Sequence, residues 1–256
     1  MKEVNSYGWK AVIGSSIGYA MDGFDLLILG FMLSLISGDL GLTTGQAGSL
    51  VTWTLVGAVI GGFIFGTLSD KFGRVRVLTW TIVLFAVFTG LCAFAQGYWD
   101  LLIYRTIAGI GLGGEFGIGM ALAAEAWPAQ HRAKATSYVA IGWQLGVLAA
   151  ALLTPVLLPY IGWRGMFMVG IIPAFVAWFF RAKLHEPEIF VQSKEIKEYS
   201  HTNSFKLLVK DVRTTKTSIG VAILTSVQNF GYYGIMIWLP NFLSKQLGFS
   251  LTKSGL

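Results

Sequence analysis

Two aspartates interrupt the first long apolar stretch of the chain, and their spacing suggests proton chemistry. Asp22 and Asp25 lie about 12–15 residues into a predicted helix over 10–36, or roughly 18–23 Å along its axis. Because they are three residues apart, they share one helix face. Burial and a neighbouring like charge both favour the protonated form of a carboxyl group. We therefore expect the pair to carry a proton, although one aspartate could instead pair with Arg105 or cap a kink at Gly23.

The fourth apolar stretch, 98–124, carries one arginine and one glutamate. Arg105 and Glu115 are about 15 Å apart along the helix axis, too far to pair with each other. Each therefore needs a partner on another helix or in a cavity. Arg105 is either a fork for a substrate carboxylate or a counter-ion for an aspartate of the first helix. Glu115 either joins a proton relay or braces a helix interface.

Adjacent amides and aromatic rings mark the last apolar stretch. Gln228, Asn229, Tyr232 and Tyr233 follow one another within it, and such side chains can hydrogen-bond to a polar solute and stack on it. Hydrogen bonds between helices are the alternative use of these groups. We predict that the four residues contact the substrate, with Gln144 of the fifth stretch as a weaker candidate.

The composition indicates which classes of protein could contain these residues. Of the 256 residues, 54% are hydrophobic and 12% are charged, whereas a soluble domain carries about 25% charged residues. So little polar surface cannot cover a globule in water. The composition argues against a water-soluble enzyme and against a nucleic-acid-binding protein. A membrane-embedded enzyme is also disfavoured, because the sequence contains no nucleophile–base pair and no metal cluster.

Seven stretches are long and apolar enough to cross a bilayer, which requires roughly 20 such residues. They are about 10–36, 47–68, 76–96, 98–124, 135–159, 163–182 and 217–243. Lipid offers the backbone no hydrogen-bond partners, so these stretches should be helices. The sequence therefore predicts an all-α membrane protein.

The basic residues set the orientation of these helices. Of the 19 lysines and arginines, 15 fall in the N-terminal segment and in the loops on the same side of the membrane. The positive-inside rule places that side, and the N-terminus, in the cytoplasm. This topology explains the net charge of +6, so we expect no nucleic-acid partner. The polar segment 183–216 is predicted to be a cytoplasmic linker between a six-helix bundle, 1–182, and the start of a second bundle, 217–256.

The sequence gives no sign of a cofactor or a metal. The glycine-rich run 109–119 formally contains G-x-G-x-x-G, but a dinucleotide site needs a strand before that motif, and this run lies inside an apolar stretch. Glycines there allow membrane helices to approach closely. The three histidines lack ligand spacing. We predict no cofactor, no metal and no enzymatic activity.

Three short motifs resemble those of the major facilitator superfamily. Residues 66–76 are similar to its loop signature between helices two and three, with a departure at Val75, where a basic residue is usual. Residues 105–111 resemble its second motif, R-x-x-x-G-x-G, and 184–188 a degraded form of its P-E-S-P-R element. The resemblance implies alternating access between two six-helix halves. This chain would be the first half, the linker and helix seven of twelve, and therefore a fragment. The implied gating residues are Gly66, Asp70, Gly73 and Arg74.

The tetrad 22–25, Asp-Gly-Phe-Asp, resembles the D-G-[FY]-D of the metabolite:proton symporters, which take up aromatic acids, nicotinate, sialate or related anions. This resemblance implies proton-driven uptake across the inner membrane, with Asp22 and Asp25 essential and Arg105 near a substrate carboxylate. The last helix is partly similar to that of sugar porters, so a sugar or polyol is the alternative substrate. A drug exporter or a non-transporting sensor are further alternatives. We expect a monomer whose partners are a small molecule, protons, the bilayer and the missing half of the chain.

Overall fold

The protein folds into long helices connected by short turns. The computed structural model describes residues 6–181, 184–187, 190–191, 209–235, 239 and 242–243. Among these residues there is no strand, which confirms the all-α prediction. The α-helices are α1, Ser6–Asp39; α2, Thr44–Phe72; α3, Arg74–Cys92; α4, Tyr98–Glu125; α5, Arg132–Arg181; and α6, Val212–Tyr233. A 3-10 turn, Ala129–His131, leads into α5.

One glycine divides α5 into two membrane-spanning parts. Gly162 has φ 63° and ψ 179°, which is not helical, and it follows two prolines, Pro155 and Pro159. We name residues 132–161 α5a and residues 163–181 α5b. The break lies between the predicted fifth and sixth spans. Five helices of the described chain are long and apolar enough to cross a membrane. The 50 residues of α5 would extend about 75 Å if the helix were straight, which is long enough for two crossings. With the other four candidate helices, the described chain therefore has six possible membrane crossings.

Residues 66–76, which resemble a loop signature, are almost entirely helical. α2 continues to Phe72, and α3 begins at Arg74. Gly73 alone connects them, with φ 109° and ψ 154°, a backbone conformation that favours glycine. Its N–H donates to the carbonyl of Ser69 at 3.1 Å. Gly66 and Asp70 therefore lie on α2 rather than in a flexible loop.

α1 is the central helix of the bundle. In its most apolar window 78% of the residues are buried, against 22–56% in the other four candidate spans. Two glycines of α5a allow this burial, because their Cα atoms lie directly against backbone carbonyls of α1: Gly142 against Ser16 and Gly146 against Ala20. The two acids of α1 are thereby held in the interior, about 24–29 Å from the Ser6 end of the helix.

The predicted linker and last span fall partly outside the described residues. Of the linker 183–216, the structure describes 184–187, 190–191 and 209–216. α6 begins at Val212 and extends to Tyr233, and most of 236–256 lies outside the described residues. α6 is not among the five helices that qualify as candidate spans. The division into two bundles and a linker stays a prediction.

Candidate functional site

Asp25 forms a buried ion pair with Arg105. The guanidinium donates from Nη1 to Oδ1 at 3.0 Å and from Nη2 to Oδ2 at 2.7 Å. Both side chains are at most 1% exposed. Arg105 Nε also donates to Thr54 Oγ1 at 3.4 Å, and the guanidinium lies 5.8 Å from the centre of the Phe167 ring. The pair therefore joins α1, α2, α4 and α5b.

This geometry matches the counter-ion interpretation of Arg105. Both Nη atoms are engaged by Asp25, and the residue has no exposed surface. A substrate carboxylate could reach the guanidinium only by displacing Asp25 and leaving it without a partner. The role of Arg105 as a fork for a substrate carboxylate stays a prediction.

Glu115 is held by a second buried ion pair, with Arg181 at the end of α5b. Arg181 donates from Nη1 to Oε1 at 2.8 Å and from Nη2 to Oε2 at 2.6 Å. The hydroxyl of Thr81 donates to Oε1 at 2.7 Å. Arg181 also donates to the carbonyls of Leu78 and Gly14, both at 3.2 Å. Of the two roles expected for Glu115, these contacts match the brace between helices.

The sequence did not single out Arg181 as an ion-pair partner, because its position is typical of a basic residue in a loop. In the structure it is 1% exposed. Two signals pointed to it: Arg181 falls within the sixth predicted span, 163–182, and Glu115 required a cation on another helix. Charge counting along loops does not reveal such a residue, because it occupies the end of a span.

Asp22 is the buried acid without a cation of its own. The residue is 3% exposed, and its Oδ1 has no hydrogen-bond partner among the described residues. Its charged neighbours are Glu115, Arg181 and Asp25. Arg105 and Arg181 each bind another carboxylate, so neither forms an ion pair with Asp22.

An aromatic cluster includes two tyrosines that interact electrostatically with Asp22, Tyr19 and Tyr233, and we define it as Tyr19, Phe116, Trp143, Tyr232 and Tyr233. The Tyr19 ring lies 5.0 Å from Phe116 and 5.1 Å from Trp143, between centroids. Trp143 Nε1 donates to the Tyr232 hydroxyl at 2.6 Å, and the two tyrosines of α6 are 5.6 Å apart. Tyr19 and Tyr233 both interact electrostatically with Asp22. Tyr233, predicted from sequence, thus lies near Asp22, and Tyr232 lies beside Tyr233 in the cluster. The contact of both tyrosines with a substrate stays a prediction.

The three amide side chains predicted to contact the substrate do not lie in the aromatic cluster. Gln144 and Gln228 are exposed. Asn229 is also exposed, and its Nδ2 donates to the carbonyl of Thr225 one turn earlier on α6. In the described part of the chain, these three amides therefore make no contact with Asp22, and their role in substrate binding stays a prediction.

The predicted gating residues form a charged network at one end of the bundle, which we name the basic end after Arg74, Arg76, Arg132 and Lys134. Arg74 Nη1 donates to Asp70 Oδ1 at 2.5 Å and to Ser69 Oγ at 2.7 Å. Its Nη2 donates to Glu125 Oε1 at 3.2 Å. The network therefore connects α2, α3 and α4, while a side chain at Gly66 would meet nothing within 4 Å.

Glu186 caps α3 at the basic end, although the sequence gave it no such role. The N–H of Val75 donates to Oε2 at 3.2 Å, and that of Arg76 to Oε1 at 3.0 Å. A carboxylate at a helix N-terminus satisfies orphan donors and opposes the helix dipole. A Cβ at Gly73 would collide with this carboxylate. Gly73 is thus needed both for its positive φ and for the space it leaves.

The opposite end of the bundle carries a half-exposed ion pair beside a cavity. Arg164 Nη1 donates to Asp39 Oδ2 at 2.5 Å, and Trp163 Nε1 donates to the same oxygen at 3.0 Å. The cavity has a volume of about 670 Å³ and is lined by Leu35, Asp39, Leu158, Pro159, Ile161, Gly162, Trp163 and Arg164. It lies far from Asp22, which does not line it. Within the described chain, no group of three His, Cys, Asp or Glu residues could hold a metal ion.

The described chain is a bundle of helices long and apolar enough to cross a membrane, with buried acids in its interior. The Major Facilitator Superfamily profile matches residues 15–256, and the chain belongs to this family. Its members and relatives are transporters rather than enzymes, as predicted.

The relatives are bacterial transporters of metabolites. A protein of Haemophilus influenzae named as a metabolite transport protein is 78% identical over 259 residues, which cover 99% of this chain and 64% of that protein. The cis,cis-muconate transport protein of Acinetobacter baylyi is 33% identical, over 96% of this chain and 60% of its own length. The sialic acid transporter NanX of Escherichia coli is 33% identical, over 75% of this chain and 48% of its own length. The chain thus spans about two thirds or less of each relative. A multi-pass protein of this kind belongs to the bacterial inner membrane.

A solved structure confirms the fold. The D-xylose-proton symporter superimposes with a TM-score of 0.77, at 23% identity, over 98% of this chain and 64% of the symporter. At that identity the likeness establishes the helix arrangement alone.

Proposed function

We propose that this chain is part of a proton-coupled symporter that takes up a small organic anion, with Asp22 as the proton carrier. One observation carries the proposal: Asp22, at the centre of α1, is 3% exposed, and its Oδ1 has no hydrogen-bond partner in the described chain. α1 is also the most buried of the candidate spans. A membrane-embedded carboxyl group without a cation is stable in its neutral form and is costly when ionised. Such a group gains a proton on one side of the membrane and releases it on the other as access alternates.

The substrate class follows from the names of the relatives. Muconate and sialic acid are small organic acids, and niacin, carried by a further relative at 29% identity, is a third. The aromatic cluster beside Asp22 offers rings for a planar acid and hydroxyls for its oxygens. A sugar or polyol is the alternative substrate.

The orientation and division of the chain belong to the same proposal. The basic end faces the cytoplasm under the positive-inside rule, which also places the N-terminus there. Residues 1–182 form the first bundle, 183–216 the linker and 217–256 the start of the second bundle. The network of Asp70, Arg74 and Glu125 would then hold the cytoplasmic ends of α2, α3 and α4 together in one state and release them in the other. Gly66 and Gly73 complete the proposed gating residues.

Uptake into proteoliposomes tests the proposal. The protein to use is this chain joined to the part of the Haemophilus influenzae relative that it does not cover, which we name the full-length transporter. Nicotinate, benzoate, cis,cis-muconate, N-acetylneuraminate and D-xylose are offered under an inward proton gradient. We expect accumulation of at least one acid, loss of that accumulation in Asp22→Asn, and its retention in Asp39→Asn, whose acid is half exposed. Undiminished accumulation by Asp22→Asn would remove Asp22 from the mechanism.

A further inference from the structure

The cavity at the end of the bundle opposite the basic end is large enough for a ligand of its own. Its volume of about 670 Å³ falls within the range of roughly 300–1,000 Å³ that is typical of small-molecule sites. It is lined by Leu35 and Asp39 in the last turns of α1, and by residues on both sides of the break at Gly162 in α5. The proposed proton carrier, Asp22, does not line it, so its ligand is unassigned.

The cavity lies at the depth of the lipid headgroups. α1 ends at Asp39, and Gly162 separates the two crossings of α5, so both helices reach a membrane surface here. Tyr160, next to the lining residues, is 86% exposed, and Trp99 at the start of α4 is 70% exposed. Exposed tyrosine and tryptophan are typical of the interface between membrane and water. The cavity is therefore placed where headgroups and acyl chains meet.

The polar rim of the cavity carries one group of each charge, and both groups are held in place. Arg164 lies on the face of Trp163, with its guanidinium 4.1 Å from the ring centre. It donates from Nη1 to Asp39 Oδ2 at 2.5 Å and from Nη2 to the carbonyl of Ala95 at 3.2 Å. Trp163 Nε1 donates to the same Oδ2 at 3.0 Å. These contacts fix the orientation of the ion pair.

Two polar atoms of the ion pair have no partner among the described residues: Oδ1 of Asp39 and Nε of Arg164. Their side chains are 48% and 45% exposed, so a group from outside can reach both. The carboxylate oxygen accepts hydrogen bonds and the Nε–H donates one. A lone anion would be repelled by Asp39, and a lone cation by Arg164. A zwitterion, with a cationic donor and an anionic acceptor close together, satisfies both atoms.

The rest of the cavity lining is an apolar wall, which we define as Leu35, Leu158, Pro159 and Ile161. Leu35 and Ile161 remain 47% and 40% exposed. Covering such surface with hydrocarbon is favourable by about 25 cal/mol per Å². A ligand that fills both parts of the cavity therefore has a zwitterionic head and an apolar tail.

We infer that the cavity binds an aminophospholipid whose primary ammonium donates to Asp39 Oδ1, whose phosphate accepts from Arg164 Nε, and whose acyl chain lies on the apolar wall. Both head contacts are hydrogen bonds between charged groups, which are roughly twice as strong as neutral ones. A quaternary ammonium has no N–H to donate to Asp39, and a phosphoglycerol head has no cation at all. The site therefore selects the headgroup by its hydrogen bonds as well as by its charge.

Lipid-dependent stability of the full-length transporter tests the inference. The protein is stripped of lipid in detergent and titrated with phosphatidylethanolamine, phosphatidylcholine or phosphatidylglycerol of identical acyl chains, while its melting temperature is measured. A ligand that binds only the folded protein raises this temperature. We expect half of the rise at about tenfold lower concentration for phosphatidylethanolamine, the equivalent of one hydrogen bond to a charged group. Native mass spectrometry should show one such lipid retained per transporter.

The double variant Asp39→Asn/Arg164→Gln removes both charges and leaves neither unpaired. We expect the three lipids to become equivalent in it. Arg132→Gln, which removes an exposed arginine at the basic end, is the matched control and should keep the preference. Because the lipids are compared within each variant, a general loss of stability does not change the result. Glycerophosphoethanolamine, the same head without acyl chains, should not displace the retained lipid.

Four results would each overturn the inference. Equal half-saturation by phosphatidylethanolamine and phosphatidylcholine would show that the ammonium N–H is not recognised. Preference for phosphatidylglycerol would show that Arg164 acts alone on an anion. Preference for phosphatidylethanolamine that persists in the double variant would place the lipid elsewhere, and displacement by glycerophosphoethanolamine would assign the cavity to a soluble ligand. All four leave proton-coupled uptake standing, because these experiments measure neither Asp22 nor substrate accumulation.

Discussion

Asp22 and Asp25 lie three residues apart on α1 and have opposite electrostatic surroundings. Asp25 accepts two hydrogen bonds from Arg105, at 3.0 and 2.7 Å, whereas Oδ1 of Asp22 is buried without a partner in the described chain. Asp25 thus joins four helices through Arg105, whereas our proposal assigns the proton to Asp22.

Arg105→Lys should slow transport without changing the preference for anions. Lysine cannot make the two parallel hydrogen bonds that the guanidinium makes to Asp25, so the bundle loosens, while the substrate site keeps its donors. We expect a lower maximal rate and a lower melting temperature for the full-length transporter, with an unchanged KM for nicotinate. A KM that rises for nicotinate but not for nicotinamide would restore the carboxylate-fork role of Arg105.

Arg181→Gln should be strongly destabilising, because it leaves Glu115 buried without its cation. Removal of one partner of a buried pair costs about 3–5 kcal/mol. The double variant Glu115→Gln/Arg181→Gln should recover much of this loss, since no charge is then left unpaired. Thermal unfolding in detergent measures both. Arg164→Gln is the matched control, since its ion pair is about half exposed. If Arg181→Gln loses no more stability than Arg164→Gln, the Glu115–Arg181 pair does not brace the helices.

Gly73→Ala should destabilise the junction of α2 and α3 by two separable effects. The φ of 109° at Gly73 strains any residue that has a Cβ, by roughly 1–3 kcal/mol. In addition, the new Cβ would collide with the Glu186 carboxylate. Gly162→Ala isolates the strain, because its φ of 63° is also positive and nothing lies within 4 Å. Thermal unfolding should show a larger loss of stability for Gly73→Ala than for Gly162→Ala. Addition of Glu186→Ala to Gly73→Ala should recover part of that difference in stability. Equal losses at the two glycines would exclude the collision.

Asp211 should make the start of α6 sensitive to acid. The backbone N–H and the hydroxyl of Thr214 donate to its carboxylate, both at 2.8 Å, and the N–H bond above all holds the pKa of Asp211 below its ordinary value. A lowered folded-state pKa stabilises the helix above the unfolded value of about 3.9, and this contribution is lost as pH falls through the folded value. Amide exchange at Thr214 and Thr215 should therefore speed up in acid beyond its intrinsic change. Asp211→Ser keeps an acceptor that does not titrate and should abolish the effect.

The membrane spans could be predicted from the sequence because bilayer thickness fixes the length of an apolar run. The break at Gly162 fell between two predicted spans for that reason. Charge pairing could not be predicted, because three acids and two arginines allow several pairings until the helices are arranged. Arg181 was missed since a basic residue at the end of a span looks like a loop residue. Tyr232 and Tyr233 could be singled out because aromatic residues beside amides stand out in an apolar helix, but the sequence could not tell which of these side chains lies near Asp22.

The two ion pairs also have a consequence for biosynthesis. Arg105 is made 80 residues after Asp25, and Arg181 is made 66 residues after Glu115. At about 5–20 residues per second, α1 waits roughly 4–16 s after synthesis for its cation. A lone aspartate at the middle of a span opposes insertion by about 2.5–3.5 kcal/mol, and α1 carries two. Insertion of α1 is therefore less favourable before the fourth helix brings Arg105 to Asp25 than after it.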